Sequence, residues 1–193
     1  IMPVYNGEKF LEETIESILC QTFTNFKFII LNDNSTDSTL KILENYKAKD
    51  DRIIIINKDK NEGPAILRNE GIALSETNFI ALMDADDIAM PTRFEKQIKV
   101  LKENENIGLC GTWFTVFNNK KEKLIKHATF HEELKVQFFS SCGIGNPTTM
   151  FKKNKLGDLK FETELVPAED YGLWSQLIKT TEFYNIPESL LRY

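Results

Sequence analysis

Three carboxylates, Asp84, Asp86 and Asp87, stand directly behind the apolar run Phe79-Ile80-Ala81-Leu82-Met83. The run has the length and apolarity of a strand buried on both faces. Carboxylates crowded at the mouth of such a strand repel one another, and burial raises their pKa values, so the cluster needs a neutralising partner. A hard divalent cation, Mg²⁺ or Mn²⁺, fits: it prefers carboxylate oxygens and accepts substrate phosphate as a further ligand. In open α/β sheets, ligands sit beyond the carboxyl ends of the strands. The stretch therefore points to a metal–diphosphate site at Asp84 to Asp87. Taken alone, an Asp-rich turn leading into a helix with Thr92 as N-cap accounts for it equally well. A calcium EF-hand loop does not, because counting from Asp84 puts Ile88 fifth and Ala89 sixth, where glycine is required.

The elements that must position these acids follow from periodicity. The first half reads as a strand over 1–4, a helix over 8–20, a strand over 26–31, a helix over 36–47, a strand over 52–57, a helix from Gly63-Pro64 through Leu74, and a strand over 79–83. That β-α-β-α-β-α-β order predicts parallel strands with right-handed crossovers. The second half is less regular. A helix over 92–104 is followed by a strand over 107–117, a turn at Asn118 to Lys121 and a return strand over 123–128. Next come a helix over 132–140, a short strand over 148–151 and a polar loop over 154–164. The chain closes with a helix over 169–179 and two strands over 182–186 and 189–193.

In a parallel sheet the loops after strands one, two and four open on one edge. They bring Tyr5, Asn6 and Glu8, then Asp33, then Asp84, Asp86 and Asp87 to a common rim, with Arg68 on the intervening helix able to offset the acids. Individually, Asp33 also reads as an Asx-turn or cap, and Arg68 as part of a solvated helix face. A dinucleotide-dependent oxidoreductase would place an acid where Asp33 stands, but it needs GxGxxG after strand one, and Pro3-Val4-Tyr5-Asn6-Gly7-Glu8 supplies one glycine. A P-loop is absent.

Five segments in order resemble the inverting family-two glycosyltransferases of the GT-A fold: MPVYN at 2–6, LNDNSTDST at 31–39, NEGPAILRNEGI at 61–72, LMDADD at 82–87 and AEDYGLW at 168–174. The resemblance implies an α/β, Rossmann-like, mostly parallel central sheet flanked by helices, with a smaller mixed acceptor-side region. It implies a single domain over 1–193, with a nucleotide-binding half over 1–91 and an acceptor-binding half over 92–193. The implied reaction is metal-dependent transfer, using Mn²⁺ or Mg²⁺, of a hexosyl or N-acetylhexosaminyl group. The donor is a nucleotide diphosphate sugar, most often UDP-linked, and the acceptor a glycan or a lipid-linked molecule. By position, Pro3, Tyr5, Asn6 and Glu8 line the nucleoside pocket and Asp33 reads the base edge. Arg68 lies near base and phosphates, and Asp84, Ala85 and Asp86 form the DXD motif, with Asp84 towards the ribose. Asp86 and Asp87 are the metal candidates. Asp170 matches the catalytic base, with Glu169 beside it. Gly145, Asn146, Glu169 and Trp174 are acceptor-side candidates, although many relatives carry His where Asn146 stands. Taken without the resemblance, Glu169 and Asp170 read as two acids stabilising the start of their own helix through its dipole.

Two rivals stay open: a non-catalytic sugar-nucleotide-binding domain of the same fold, and a sugar nucleotidyltransferase, which wants a glycine-rich, basic first loop. Composition bounds the rest. A net charge of −5 disfavours nucleic acid as a partner. Cys20, Cys110 and Cys142 form no CxxC pair, which disfavours zinc and a disulfide framework and favours a reducing compartment. No apolar run approaches a membrane span. Both ends read as cut, leaving an anchor to missing flanks. The setting implied by resemblance is bacterial surface polysaccharide or lipooligosaccharide assembly at the cytoplasmic face of the membrane.

Overall fold

The computed structural model describes residues 1–118, 121–165 and 167–193. The central part of the turn expected at Asn118 to Lys121 lies outside them. In chain order the first half is β1 (Met2–Val4), α1 (Leu11–Leu19), β2 (Phe28–Asn32), α2 (Thr39–Lys47), β3 (Ile53–Asn57), α3 (Pro64–Leu74), β4 (Phe79–Ala81) and β5 (Ile88–Ala89). The second half is α4 (Arg93–Glu103), β6 (Ile107–Asn118), β7 (Lys121–Ile125), α5 (His131–Gln137), β8 (Met150–Lys152), α6 (Lys153–Leu156), α7 (Glu169–Leu177) and β9 (Glu182–Arg192).

Strands β1, β2 and β3 pair in parallel, with Pro3 opposite Leu31 and Leu31 opposite Ile56. The Ile1 backbone nitrogen donates to the Ala81 carbonyl at 2.8 Å, and the Met83 N–H donates back to the Ile1 carbonyl at 3.0 Å. That exchange is the parallel ladder pattern, and it joins β4 to β1 as the crossover argument requires. Beyond β4 the sheet turns mixed: β8 runs antiparallel to β4 and β6, β9 parallel to β6, and β5 and β7 antiparallel to β9 and β6. The second half is thus built on strands, not helices, around β6 and β9.

Two local readings are corrected. The segments 182–186 and 189–193 form one strand, interrupted by a register shift where Thr112 faces Ile186 and Trp113 faces Ser189. Pro187 falls in that gap and has no N–H to give the ladder, which is why the pattern reads as two pieces. The polar segment 154–164 is not only loop. It carries the end of α6 and the start of a 3₁₀ turn at Thr163–Leu165. Its Phe161 is 1% exposed, packed edge-on to Trp174 and clasped by Asn69, whose side chain both accepts from the Phe161 N–H and donates to its carbonyl.

The core divides around the sheet. Met2, Val4, Leu11, Ile15, Ile30 and Phe94 pack on one side, and Ile80, Leu109, Phe151, Leu173, Trp174 and Phe183 on the other. Among the described residues no helix is long and apolar enough to cross a membrane.

Candidate active site

Two loops clasp each other at the carboxyl edge of β1 and β2. Asn6, in the left-handed region at φ 50°, accepts the Thr36 N–H, while its own N–H donates to Ser35 Oγ. Glu8 accepts the Ser38 N–H, and its own N–H donates to Asp37. Tyr5 is left half-exposed between them. The side chains of Asn6 and Glu8 therefore shape this edge, leaving Tyr5 and backbone groups as its open surface.

Asp33 follows β2 and is 3% exposed. Its two oxygens accept the Glu62 N–H at 2.8 Å and the Gly63 N–H at 2.9 Å, at the entry to α3. Gly63 adopts φ 86°, a conformation that a side chain strains, and Pro64 then opens the helix. The capping reading of Asp33 describes what its carboxylate does here. Reading a base would have to use the remaining lone pairs.

Helix α3 thereby aims Arg68 across the sheet. Arg68 is 6% exposed and bridges two segments far apart in sequence: Nη2 donates to Asp84 Oδ1 and Nη1 to Glu169 Oε1, each at 2.9 Å. Its guanidinium lies 5.6 Å from the Phe161 ring centroid, within cation–π range. Arg68 Nε and Glu169 Oε2 are buried with no partner. The solvated-face reading of Arg68 is overturned. Glu169 is committed to Arg68 and buried, so it does not stand free toward an acceptor.

Beyond Asp84 the acids diverge. Asp86 is exposed at the rim; partial desolvation first, and the adjacent Asp84 second, hold its carboxyl above the usual range. Asp87 is 2% exposed, with Oδ2 unpartnered. Burial first, then Asp84 and Asp86, push its carboxyl up to about 8 against the opposing pull of the buried Arg93. Asp87, expected as a second metal candidate, thus lies beneath the exposed Asp86. Ala85 serves through its carbonyl, which accepts from Thr14 Oγ1.

A cavity of ≈ 590 Å³ opens beside this bridge. Arg68, Asp84, Glu169 and Asp170 line one part of it, and Phe114, His127, Gly145, Asn146 and Tyr193 another. Asp170 is raised from the ordinary carboxylate range by burial and by Glu169, while the Tyr171 N–H and Arg68 hold it down. A carboxyl poised in this way suits a general base better than a free surface Asp. Trp174 is corrected: it is wholly buried, against Phe151 and Phe161, and its Nε1–H donates to Asn146 Oδ1 at 3.2 Å. It fixes Asn146 from within the core. A second cavity of ≈ 480 Å³, walled by Phe28, Ile80, Phe94 and Ile98, touches none of the acids at 84–87 and is not the site.

Sequence reasoning missed Tyr193, Phe114, His127 and Phe161. Burial first, and then Asp84, Asp87, Asp86 and Asp170, raise the Tyr193 phenol above the usual range. Nothing in its sequence neighbourhood signals that position; only the sheet order, which lays β9 beside β6, delivers it.

Among the described residues no group of three or more His, Cys, Asp or Glu side chains could hold a metal ion. The chemistry of Asp86 nonetheless fits one: it is an exposed carboxylate beside Asp84 at the rim, and a diphosphate would supply the other oxygens. Such a cavity, set at the carboxyl edge of a parallel half-sheet with Asp84, Glu169 and Asp170 in its lining, fits an α/β domain of the GT-A glycosyltransferase class.

The profile of the family Glycosyl transferase family 2 matches residues 1–159, and the chain belongs to that family. An uncharacterised glycosyltransferase of Methanocaldococcus jannaschii is 37% identical over the whole chain, which spans 69% of that protein. The UDP-Glc:alpha-D-GlcNAc-diphosphoundecaprenol beta-1,3-glucosyltransferase WfgD of Escherichia coli is 32% identical over 93% of the chain and 68% of its own length. The S. aureus TarS 1–349 structure with UDP matches with a TM-score of 0.83 at 21% identity, covering 100% of this chain and 59% of that one. The mannosyltransferase PcManGT from Pyrobaculum calidifontis, in complex with GDP-Man and Mn²⁺, matches with a TM-score of 0.75 at 16% identity, over 100% of this chain and 55% of its own. The fold and the glycosyltransferase family are thus shown.

Proposed function

We propose that this domain transfers a sugar, with inversion, from a UDP-linked donor to a glycan or lipid-linked acceptor. The observation that carries the reading is the Asp84–Arg68–Glu169 bridge, which holds Asp84 and Asp170 on one cavity although Arg68 and Glu169 are 101 positions apart in sequence. TarS has been solved with UDP and with UDP-GlcNAc, and WfgD carries a lipid-linked acceptor in its name. Both support the choice of donor and acceptor class.

The residues divide the work. The β1–α1 and β2–α2 loops, with Tyr5 and Pro3 at their surface, hold the nucleoside, and Asp33 fixes the wall beside it. Asp86 is the residue that would hold a Mn²⁺ or Mg²⁺ ion, which would supply Lewis-acid neutralisation of charge on the diphosphate. Asp84, oriented by Arg68, faces the ribose. Asp170 accepts the proton of the acceptor hydroxyl as its oxygen attacks the anomeric carbon, and the bond from that carbon to the diphosphate breaks on the opposite face. Arg68 pulls the Asp170 carboxyl down against the upward push of burial and Glu169. The setting we assign is glycan assembly at the cytoplasmic face of a membrane.

A thermal-shift comparison of UDP and GDP, with and without Mn²⁺, tests the reading. A ligand at a hundredfold excess over its Kd stabilises by about 2.7 kcal/mol, which for a domain of this size raises Tm by roughly 5–10 °C. UDP with Mn²⁺ should do so in the wild type, and Mn²⁺ should add nothing in Asp86→Ala. If neither nucleotide shifts Tm under any condition, the reading fails.

A further inference from the structure

Phe114, His127 and Tyr193 line the same cavity as Asp84 and Asp170. Gln137 settles the state of His127. The Gln137 Oε1 accepts the Ala128 N–H at 3.0 Å, so its amide presents Nε2–H to His127 Nδ1 at 3.1 Å. Nδ1 is then the acceptor, and the ring of the neutral imidazole carries its proton on Nε2. Burial lowers the His127 pKa, consistent with a ring that stays neutral near pH 7. Its backbone is fixed as well, because the Trp113 indole N–H donates to the His127 carbonyl at 2.9 Å.

Phe114 stands between His127 and Tyr193, with ring centroids 5.7 Å from each. Gly145 makes room for it: a Cβ there would lie 2.9 Å from the Phe114 ring. The three rings form a row on the cavity wall. The rings are tilted to one another, by 39° and 54°, so Phe114 offers one aromatic face beside a single directional N–H donor, which matches the two surfaces of a pyranose ring: a C–H face for stacking and hydroxyls at its rim. Asp170 lines the same cavity as these rings and Gly145, so the wall and the base share one space. The acceptor sugar must approach from the base's side, whereas the donor's diphosphate belongs at the DXD rim.

We propose that His127, Phe114 and Tyr193 form the acceptor-sugar subsite, with the sugar stacked on Phe114 and a hydroxyl accepting from His127 Nε2–H. The inference rests on the transferase reading above.

The test uses the protein charged with Mn²⁺ and UDP and a panel of methyl α- and β-glycosides of glucose, galactose and N-acetylglucosamine. Histidine ¹⁵N NMR of the wild type should show His127 protonated at Nε2, and at least one glycoside should shift that resonance. With UDP-sugar donors, His127→Phe, which keeps a ring but removes the N–H, and Phe114→Leu should each raise KM for that glycoside about tenfold, the value of one good hydrogen bond or stacking contact. Glycoside-free hydrolysis of the donor should keep its KM. Protonation at Nδ1, no response of His127 to any glycoside, or an unchanged glycoside KM in both variants overturns the subsite while leaving the transferase reading intact. A rise in donor KM alone shows that the row holds the donor sugar and overturns the proposal equally. A wild type that neither binds UDP nor hydrolyses a UDP-sugar overturns both.

Discussion

Replacing Arg68 by Met tests whether the bridge holds the two halves of the site together. Arg68 and Glu169 have side chains 8% and 9% exposed, whereas Asp84 is 27% exposed. Removing the guanidinium strands a buried carboxylate whose other oxygen already lacks a partner. Breaking a pair buried to that degree costs about 3–5 kcal/mol. The half-open Asp84 arm adds at most about 1 kcal/mol. That total is a large share of the ~5–15 kcal/mol available to an ordinary domain. The double variant Arg68→Met/Glu169→Leu removes both charges and should recover most of the loss, because a well-packed apolar replacement of a buried pair is often neutral. Urea unfolding at constant m-value measures each arm, and a double-mutant cycle isolates the coupling. A single-variant cost below about 1 kcal/mol, or a double variant that loses the sum of the singles, refutes the bridge as a structural tie. Single variants at Arg68 and Glu169 move the acidic limb of the transfer pH profile in opposite senses. Arg68 holds Asp170 down and Glu169 pushes it up, so Arg68→Met should shift the limb to higher pH and Glu169→Gln to lower pH.

Asp87 gives a stability prediction with a defined sign. Its native pKa is raised from 3.8 to about 8. Between those values the native state binds more protons than the unfolded one, so in metal-free buffer stability should fall as pH rises from about 4 to about 8. At 1.36 kcal/mol per pKa unit the upper bound is about 6 kcal/mol. Asp87→Asn should flatten that dependence and raise Tm at pH 8; a lower Tm at pH 8 would contradict the burial argument. Asp33→Ala removes the acceptors for the Glu62 and Gly63 N–H groups and should cost about 1–3 kcal/mol by urea unfolding, since buried donors left unpaired carry that penalty. Asp33→Asn keeps one acceptor oxygen and should recover part of it. Equal losses in the two variants would show that capping is not what the carboxylate contributes.

Much of the first half was legible because its elements obey local rules. The isoleucine run of β3 and the apolar run before Asp84 have strand length, and Gly63-Pro64 marks a helix start that the φ of 86° confirms. The parallel pairing of β1, β2 and β3 follows from the alternation of strands and helices. The second half resisted because its order is set by tertiary pairing. Nothing local says that β9 lies beside β6 and carries Tyr193 to the acids, or that Phe161 in a polar stretch is drawn into the core by Asn69. Within the site, residue type and rim position were readable, whereas orientation was not. Asp86 and Asp87 are adjacent and chemically identical, yet one faces solvent and the other is buried. Trp174 and Glu169 lie in the right segment, but the helix turns both inward, against Asn146 and Arg68.

The claim that Asp170 works chemically on a donor held by other residues is tested most directly in Asp170→Asn. UDP affinity with Mn²⁺ is measured by calorimetry, and turnover of a UDP-sugar in the same preparation. Loss of a general base costs roughly 10²–10⁴-fold in rate, so turnover should fall by about that much while the Kd for UDP stays within about twofold of wild type. Unchanged turnover, or UDP affinity lost together with turnover, would contradict the division of labour between the acid rim and the base.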